Sequence, residues 1–259
     1  PRSRGLGDVY KRQQLLISNY LKGENTNNIF ERFENINANI SVELNNILID
    51  KNSKLTNLVG EILLKKNDVI SAEISSKINN KNDFSLSIKT NSRDEKVTNL
   101  FIEEPEPFIK NYKFIKGFTE GKLSYGSIEK NNETKANLKI FDFKVQDVPV
   151  LAKLLTLASL QGIADILTGE GIRFNEFEMN YESNQSLTNI NEMYAIGPAI
   201  SILMEGYIDR NKLTSLRGTL VPATTINKTI SKIPLLGDIL VGKKVGEGVF
   251  GVSFKIKGP

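Results

Sequence analysis

Apolar and polar positions alternate with period two along most of this chain. Ile40, Val42 and Leu44 are separated by Ser41 and Glu43, and Phe84, Leu86 and Ile88 by Ser85 and Ser87. Ile70, Ala72, Ile74 and Ile78 share one parity. The same pattern returns at Phe141, Phe143 and Val145, then at Phe177, Met179 and Tyr181. It recurs once more at Ile200, Ile202, Met204 and Ile208, and at Phe250, Val252, Phe254 and Ile256. Successive side chains of a strand point to opposite faces, so each run predicts a strand with one apolar and one polar face. The segments Asn79–Asp83, Lys130–Glu133 and Asp209–Lys212 are rich in turn-forming residues. Short strands joined by such turns predict a mainly β fold of antiparallel meanders with a few short helices.

Three segments interrupt the alternation. Glu103–Lys116 holds Pro105 and Pro107 ahead of Phe108, Ile109, Tyr112 and Ile115, which predicts a short helix entered through prolines. Pro149–Leu167 predicts the main helix, with Pro149 in its first turn and Gly169 and Gly171 as its stop. Gly162 is the expected point at which it divides in two. Ile230–Val241 is a third helical candidate. The main helix is apolar almost all round, which suits either a plug buried against the sheet or a helix touching lipid. The plug candidates are Leu151, Leu154, Leu155, Leu157 and Ala158.

Composition narrows the chemistry. With 259 residues, 39% hydrophobic and 25% charged, the chain has the makeup of a globular domain. Cysteine and histidine are both absent. That excludes disulfides, thiolate or imidazole metal sites, and any nucleophile–histidine pair. The net charge of +4 comes mostly from residues 1–13, where Arg2, Arg4, Lys11 and Arg12 face only Asp8. The remainder has no global basic field for nucleic acid. That opening stretch, PRSRGLGDVYKRQ, resembles translated adaptor sequence more than a native basic arm, and it is set aside as a leader. No run of about 18 apolar residues and no signal peptide is visible.

Candidate reactive groups are few. Gly246–Gly251 matches G-x-G-x-x-G, but strand-like alternation comes after it where a phosphate cradle needs a helix. It reads as a glycine-rich turn. The carboxylate pairs Glu103/Glu104 and Glu176/Glu178 read as a helix-capping pair and a solvated strand face. Aromatic residues share parity with Ile, Val and Met, as core residues do, and do not form an exposed nucleic-acid platform. The expectation is a protein without catalytic residues, metal or cofactor.

Three ordered blocks carry a resemblance to a known family. DFKVQDVPVLAKLLTLASLQGIADILTGEGIRF (Asp142–Phe174) is the first, and AIGPAISILMEGYIDRNKLTSLRGTLVPATTIN (Ala195–Asn227) the second. KIPLLGDILVGKKVGEGVFGVSFKIKGP (Lys232–Pro259) is the third, and GFTEGKLSYG (Gly117–Gly126) gives weaker support. Together they resemble the C-terminal region of the AsmA-like superfamily, in its branch of large YhdP-like envelope proteins. The resemblance is strong over 131–259 and weaker over 14–130, within one domain spanning 14–259. It implies a curved, trough-like antiparallel sheet with an apolar inside, in a periplasmic protein of a Gram-negative bacterium, anchored in the inner membrane and involved in phospholipid movement towards the outer membrane. It also implies that this chain is a fragment, without the family's anchor helix and without the continuation that relatives carry after the position of Pro259.

A sheet with one apolar face and few helices must curl, pack on another sheet, or hold something apolar. Strands of about eight residues span about 26 Å, comparable to an acyl chain. With the resemblance, the expected partner is a phospholipid, with envelope proteins as further partners. The candidate lipid-contacting residues are Ile200, Ile202, Met204, Leu216, Leu220, Phe250, Val252, Phe254 and Ile256. The alternative is a scaffold or docking β-module for outer-membrane assembly, with a closed interior. At each of these positions ordinary core packing is the competing role.

Overall fold

The computed structural model describes residues 37–66, 68–110, 116–157, 159–209, 213–222 and 251–258. The chain runs β1 (Ala38–Leu48), β2 (Lys54–Lys65), β3 (Asp68–Ile78), β4 (Asn82–Thr90), β5 (Lys96–Ile102) and α1 (Glu106–Ile109). It continues through β6 (Lys116–Lys130), β7 (Glu133–Gln146), α2 (Pro149–Leu157), α3 (Gln161–Thr168), β8 (Ile172–Ser183) and β9 (Leu187–Ile196). It closes with β10 (Ile200–Asp209), β11 (Thr214–Pro222) and β12 (Val252–Gly258). These twelve strands form one antiparallel sheet in which each strand pairs only with its neighbours in sequence. β1 and β12 are its two edges and do not pair with each other, so the sheet is an open, curved trough and not a barrel.

Local sequence explains the hairpins. Asn131 and Asn132 link β6 to β7 at φ 52° and 64°, and Asn79 and Asn80 come after β3 at 51° and 62°. Asparagine tolerates this left-handed region, and turns built from it match the twist of the strands they join. The predicted turn at Asp209–Lys212 lies largely outside the described residues, as does the helical candidate Ile230–Val241.

Several left-handed residues also sit inside strands and reset which face the next side chain occupies. Asn57, Glu120 and Asp142 have φ values of 52°, 63° and 50°. The expectation that Phe141, Phe143 and Val145 share one face is therefore corrected. Asp142 breaks the alternation, leaving Phe141 37% exposed, while Ile140, Phe143 and Val145 are buried. Gly206, at φ 143°, marks the register shift between β9 and β10. A Cβ there would collide with the carbonyl oxygen of Ser215, so only glycine fits.

The helices fill one end of the trough. Leu151 and Leu155 of α2, with Ala164 and Leu167 of α3, pack into a core with Ile172, Ile200 and Leu220. A ladder of stacked rings runs beneath them: Phe118 to Phe143 at 5.6 Å, and Phe143 to Phe174 at 5.5 Å between centroids. Under α1 a second core gathers Leu55, Leu58, Ile78 and Ile102, with Phe108 stacked on Phe84 at 5.9 Å. The main helix does divide, but at Ser159 (φ 58°) and Leu160, not at Gly162, which lies inside α3.

Candidate functional site

The register of the sheet assembles the apolar face into rows that cross the strands. One row passes through Val42, Gly60, Ile74, Leu86, Leu100 and Tyr125 on β1 to β6. It continues without a break through Leu138, Met179, Met193, Met204, Gly218 and Phe254 on β7 to β12. Every position is apolar, glycine or tyrosine. At about 4.8 Å per strand the row measures about 53 Å along its curved path. The chain has three methionines in all, and they occupy this row on the adjacent strands β8, β9 and β10. Methionine is unbranched and polarizable, so it adapts to irregular apolar surfaces.

The rows on either side differ in how they are covered. Towards the helices runs a row of Phe84, Ile102, Leu123, Ile140, Phe177, Ala195, Ile202, Leu220 and Val252, all within the two cores. Away from the helices, Ile40, Ile62, Ala72 and Ile88 give way to Thr98, Ser127, Ala136 and Tyr181, then Ile190, Gly206, Leu216 and Ile256. The rim past this row carries hydroxyls, with Thr134 opposite Ser183 and Thr188 opposite the exposed Ile208. All side chains of the middle row are half-buried: the described residues shield them in part and leave the rest open. The wall is thus graded from helix-capped core through open apolar surface to a hydroxyl-bearing rim.

The predicted lining residues fall on this face. Ile200 and Leu220 are fully buried in the helix-capped core. Ile202 and Val252 pack against that core. Met204 and Phe254 belong to the middle row, and Leu216 and Ile256 to the outer one. Phe250 lies outside the described residues. Among the plug candidates, Leu151 and Leu155 are buried and Leu154 packs beside them. Leu157 is 73% exposed and points away from the core, and Ala158 lies outside the described residues. Sequence reasoning misses Met179, Met193, Leu138 and Leu100. The alternating runs in the sequence mark the strands of Met179 and Leu138 but not those of Leu100 and Met193, and only the pairing register shows that the four line up.

The opposite face is polar and partly organised. Glu178, expected to be solvated with Glu176, is only 13% exposed at its side chain. It accepts hydrogen bonds from Tyr194 Oη (2.5 Å) and Asn137 Nδ2 (2.6 Å), and it pairs with Lys139 at 3.0 Å. Burial pushes its pKa up, but the bonds from Tyr194, Lys139 and Asn137 outweigh that and hold it below the ordinary glutamate value. Burial and the two carboxylates push Tyr194 well above the usual tyrosine value. On the apolar face Tyr181 is raised as well, by burial and by its contact with Tyr125, the two hydroxyls lying 3.4 Å apart.

Among the described residues, no group of three or more acidic side chains could hold a metal ion. Gly246–Gly251 lies outside the described residues apart from Gly251. No helix among them is long and apolar enough to cross a membrane. Comparison with protein-family models, with curated proteins and with solved structures gives no match.

Proposed function

We propose that this chain shelters lipid acyl chains against the apolar wall of its trough and takes part in phospholipid transport without catalysing a reaction. The observation that carries the reading is the uninterrupted middle row, which holds an apolar residue, glycine or tyrosine on each of the twelve strands and is left partly open. A partly open apolar face of that length is suited to binding an apolar ligand. Full burial of a 16-carbon chain is worth about 13 kcal/mol at about 0.8 per CH₂. A chain lying on one wall with its other side wet recovers roughly half of that. The hydroxyl-bearing rim suits the boundary between acyl chain and head group.

The setting proposed with this function is the periplasm of a Gram-negative bacterium, in a parent protein anchored to the inner membrane. It rests on the resemblance of the three sequence blocks to AsmA-like, YhdP-like proteins. The first block carries the end of β7, α2, α3 and the start of β8, and the second carries β10 and β11. A scaffold role for outer-membrane assembly draws instead on Ile200 and Leu220, which the helices seal completely.

The test is photocrosslinking of the full chain with a diazirine-bearing phospholipid, then native mass spectrometry and peptide mapping. Adducts are expected at Met193, Met204 and Ile256, and not at Ser85 or Asn99 on the polar face. If adducts are absent, or fall equally on both faces, the scaffold role takes precedence.

A further inference from the structure

The polar face carries a second feature, independent of the lipid reading. Two clefts of about 420 and 460 Å³ adjoin there and share Asn99, Gly126 and Asn137. Gly126 sits in the middle of β6, where glycine weakens a strand. Its φ is not left-handed, and a Cβ added to it would meet only Asn99 Oδ1, at 3.6 Å. Neither backbone conformation nor crowding requires glycine at this position. Its effect is to leave the floor of the groove bare, as where a ligand approaches a sheet closely.

The groove walls are prepared for hydrogen bonding. Asn137 Nδ2 donates to Glu178 at 2.6 Å and to Asn180 at 2.7 Å, which fixes the amide and leaves its Oδ1 without a partner among the described residues. Ser85, Asn99 and Ser124 have no side-chain hydrogen-bond partner among the described residues and line the first cleft. Phe101, 37% exposed, supplies an apolar patch beside them. The charges at the groove are neutralised in pairs: Glu73 with Lys89 at 2.6 Å, and Lys135 with Glu182 at 3.0 Å.

These features select one class of ligand. Without net positive charge the groove does not recruit phosphate or nucleic acid. The strands beneath it, β3 to β9, are paired on both sides, so an extended peptide finds no free edge to join. Uncharged donors and acceptors beside an exposed ring match a sugar polymer, with its hydroxyls along the edges and C–H groups on the faces. We propose that this groove binds a short stretch of uncharged glycan, its hydroxyls held by Ser85, Asn99, Ser124 and Asn137 and one ring resting on Phe101.

The test is binding of the full chain to immobilised neutral oligosaccharides, namely four- to six-unit homopolymers of glucose, galactose and N-acetylglucosamine. A polyuronate and an extended-peptide library serve as counter-probes. Gly126→Val refills the floor with a strand-compatible side chain, and Asn99→Ala removes an amide. Binding to at least one neutral oligosaccharide is expected, weakened at least tenfold by either substitution, with an unchanged melting temperature showing that the fold persists. Failure to bind any neutral oligosaccharide overturns the proposal. So does a preference for polyuronate or peptide, or binding that survives both substitutions.

Discussion

Gly218 and Phe254 face each other on β11 and β12 so closely that a Cβ on Gly218 would lie 2.6 Å from the Cζ of the ring. Met204 Cγ would be equally near from the other side, and Leu203 O nearer still. The glycine therefore lets an aromatic ring and a thioether close over a single backbone position in the middle of the apolar wall. Gly218→Ala is expected to force these neighbours apart and to cost about 1–3 kcal/mol, the usual penalty of overpacking. Thermal unfolding monitored by circular dichroism measures this, and an unchanged midpoint would contradict the contact.

The helical plug gives a paired prediction. Leu155 is fully buried and Leu157 is 73% exposed on the same helix. Leu155→Ala should cost about 2–5 kcal/mol, as large-to-small changes in cores do. Leu157→Ala should stay within about 0.5 kcal/mol of the parent. Urea titration of the two variants separates them, and equal losses would mean that α2 does not seat as described.

Acid should weaken the Glu178 cluster specifically. Its folded pKa lies below the ordinary value of 4.5, so the folded state favours the charged form. The stabilisation is fully present above pH 4.5 and fades as pH falls through the lowered folded value. Glu178→Gln should thus be less stable than the parent at about pH 7, and the gap should narrow on acidification below 4.5. Calorimetric midpoints across that range provide the measurement, and a gap constant with pH would remove Glu178 as its source.

Alkali acts in the opposite sense on Tyr194 and Tyr181. Both are raised above the ordinary 10.0, so the fold favours their neutral forms. Their contribution is complete below about pH 10 and is lost as pH climbs through the raised values. Ultraviolet titration should show tyrosines that do not ionise with the rest near about pH 10. Tyr194→Phe should remove one of that late-titrating group. A single phase shared by all tyrosines would contradict the assignment.

Much of this architecture is legible in the sequence because period-two alternation directly encodes which side chains share a face. It predicts the face of Ile40, Val42 and Leu44, and it gives Ile202 and Met204 one face of their strand and Phe254 and Ile256 one face of theirs. It fails where a non-glycine residue turns left-handed inside a strand, as Asp142 does before Phe143, since aspartate tolerates that conformation without requiring it. It also carries no register. The methionine row exists because Met179 opposes Met193 and Met193 opposes Met204, and those pairings depend on turn lengths and bulges several residues away. Glu178 looks solvated in sequence because its partners Asn137 and Lys139 come from β7, a distant stretch of chain that the register brings alongside.

The strictly sequential strand order has a kinetic and evolutionary consequence. Because each strand meets only its neighbours along the chain, most pairings are hairpins that can form one after another, while β5–β6, β7–β8 and β11–β12 must first close longer connections. The same wiring makes length a free variable. Duplicating or deleting one hairpin changes the span of the wall by about 10 Å without rerouting any connection.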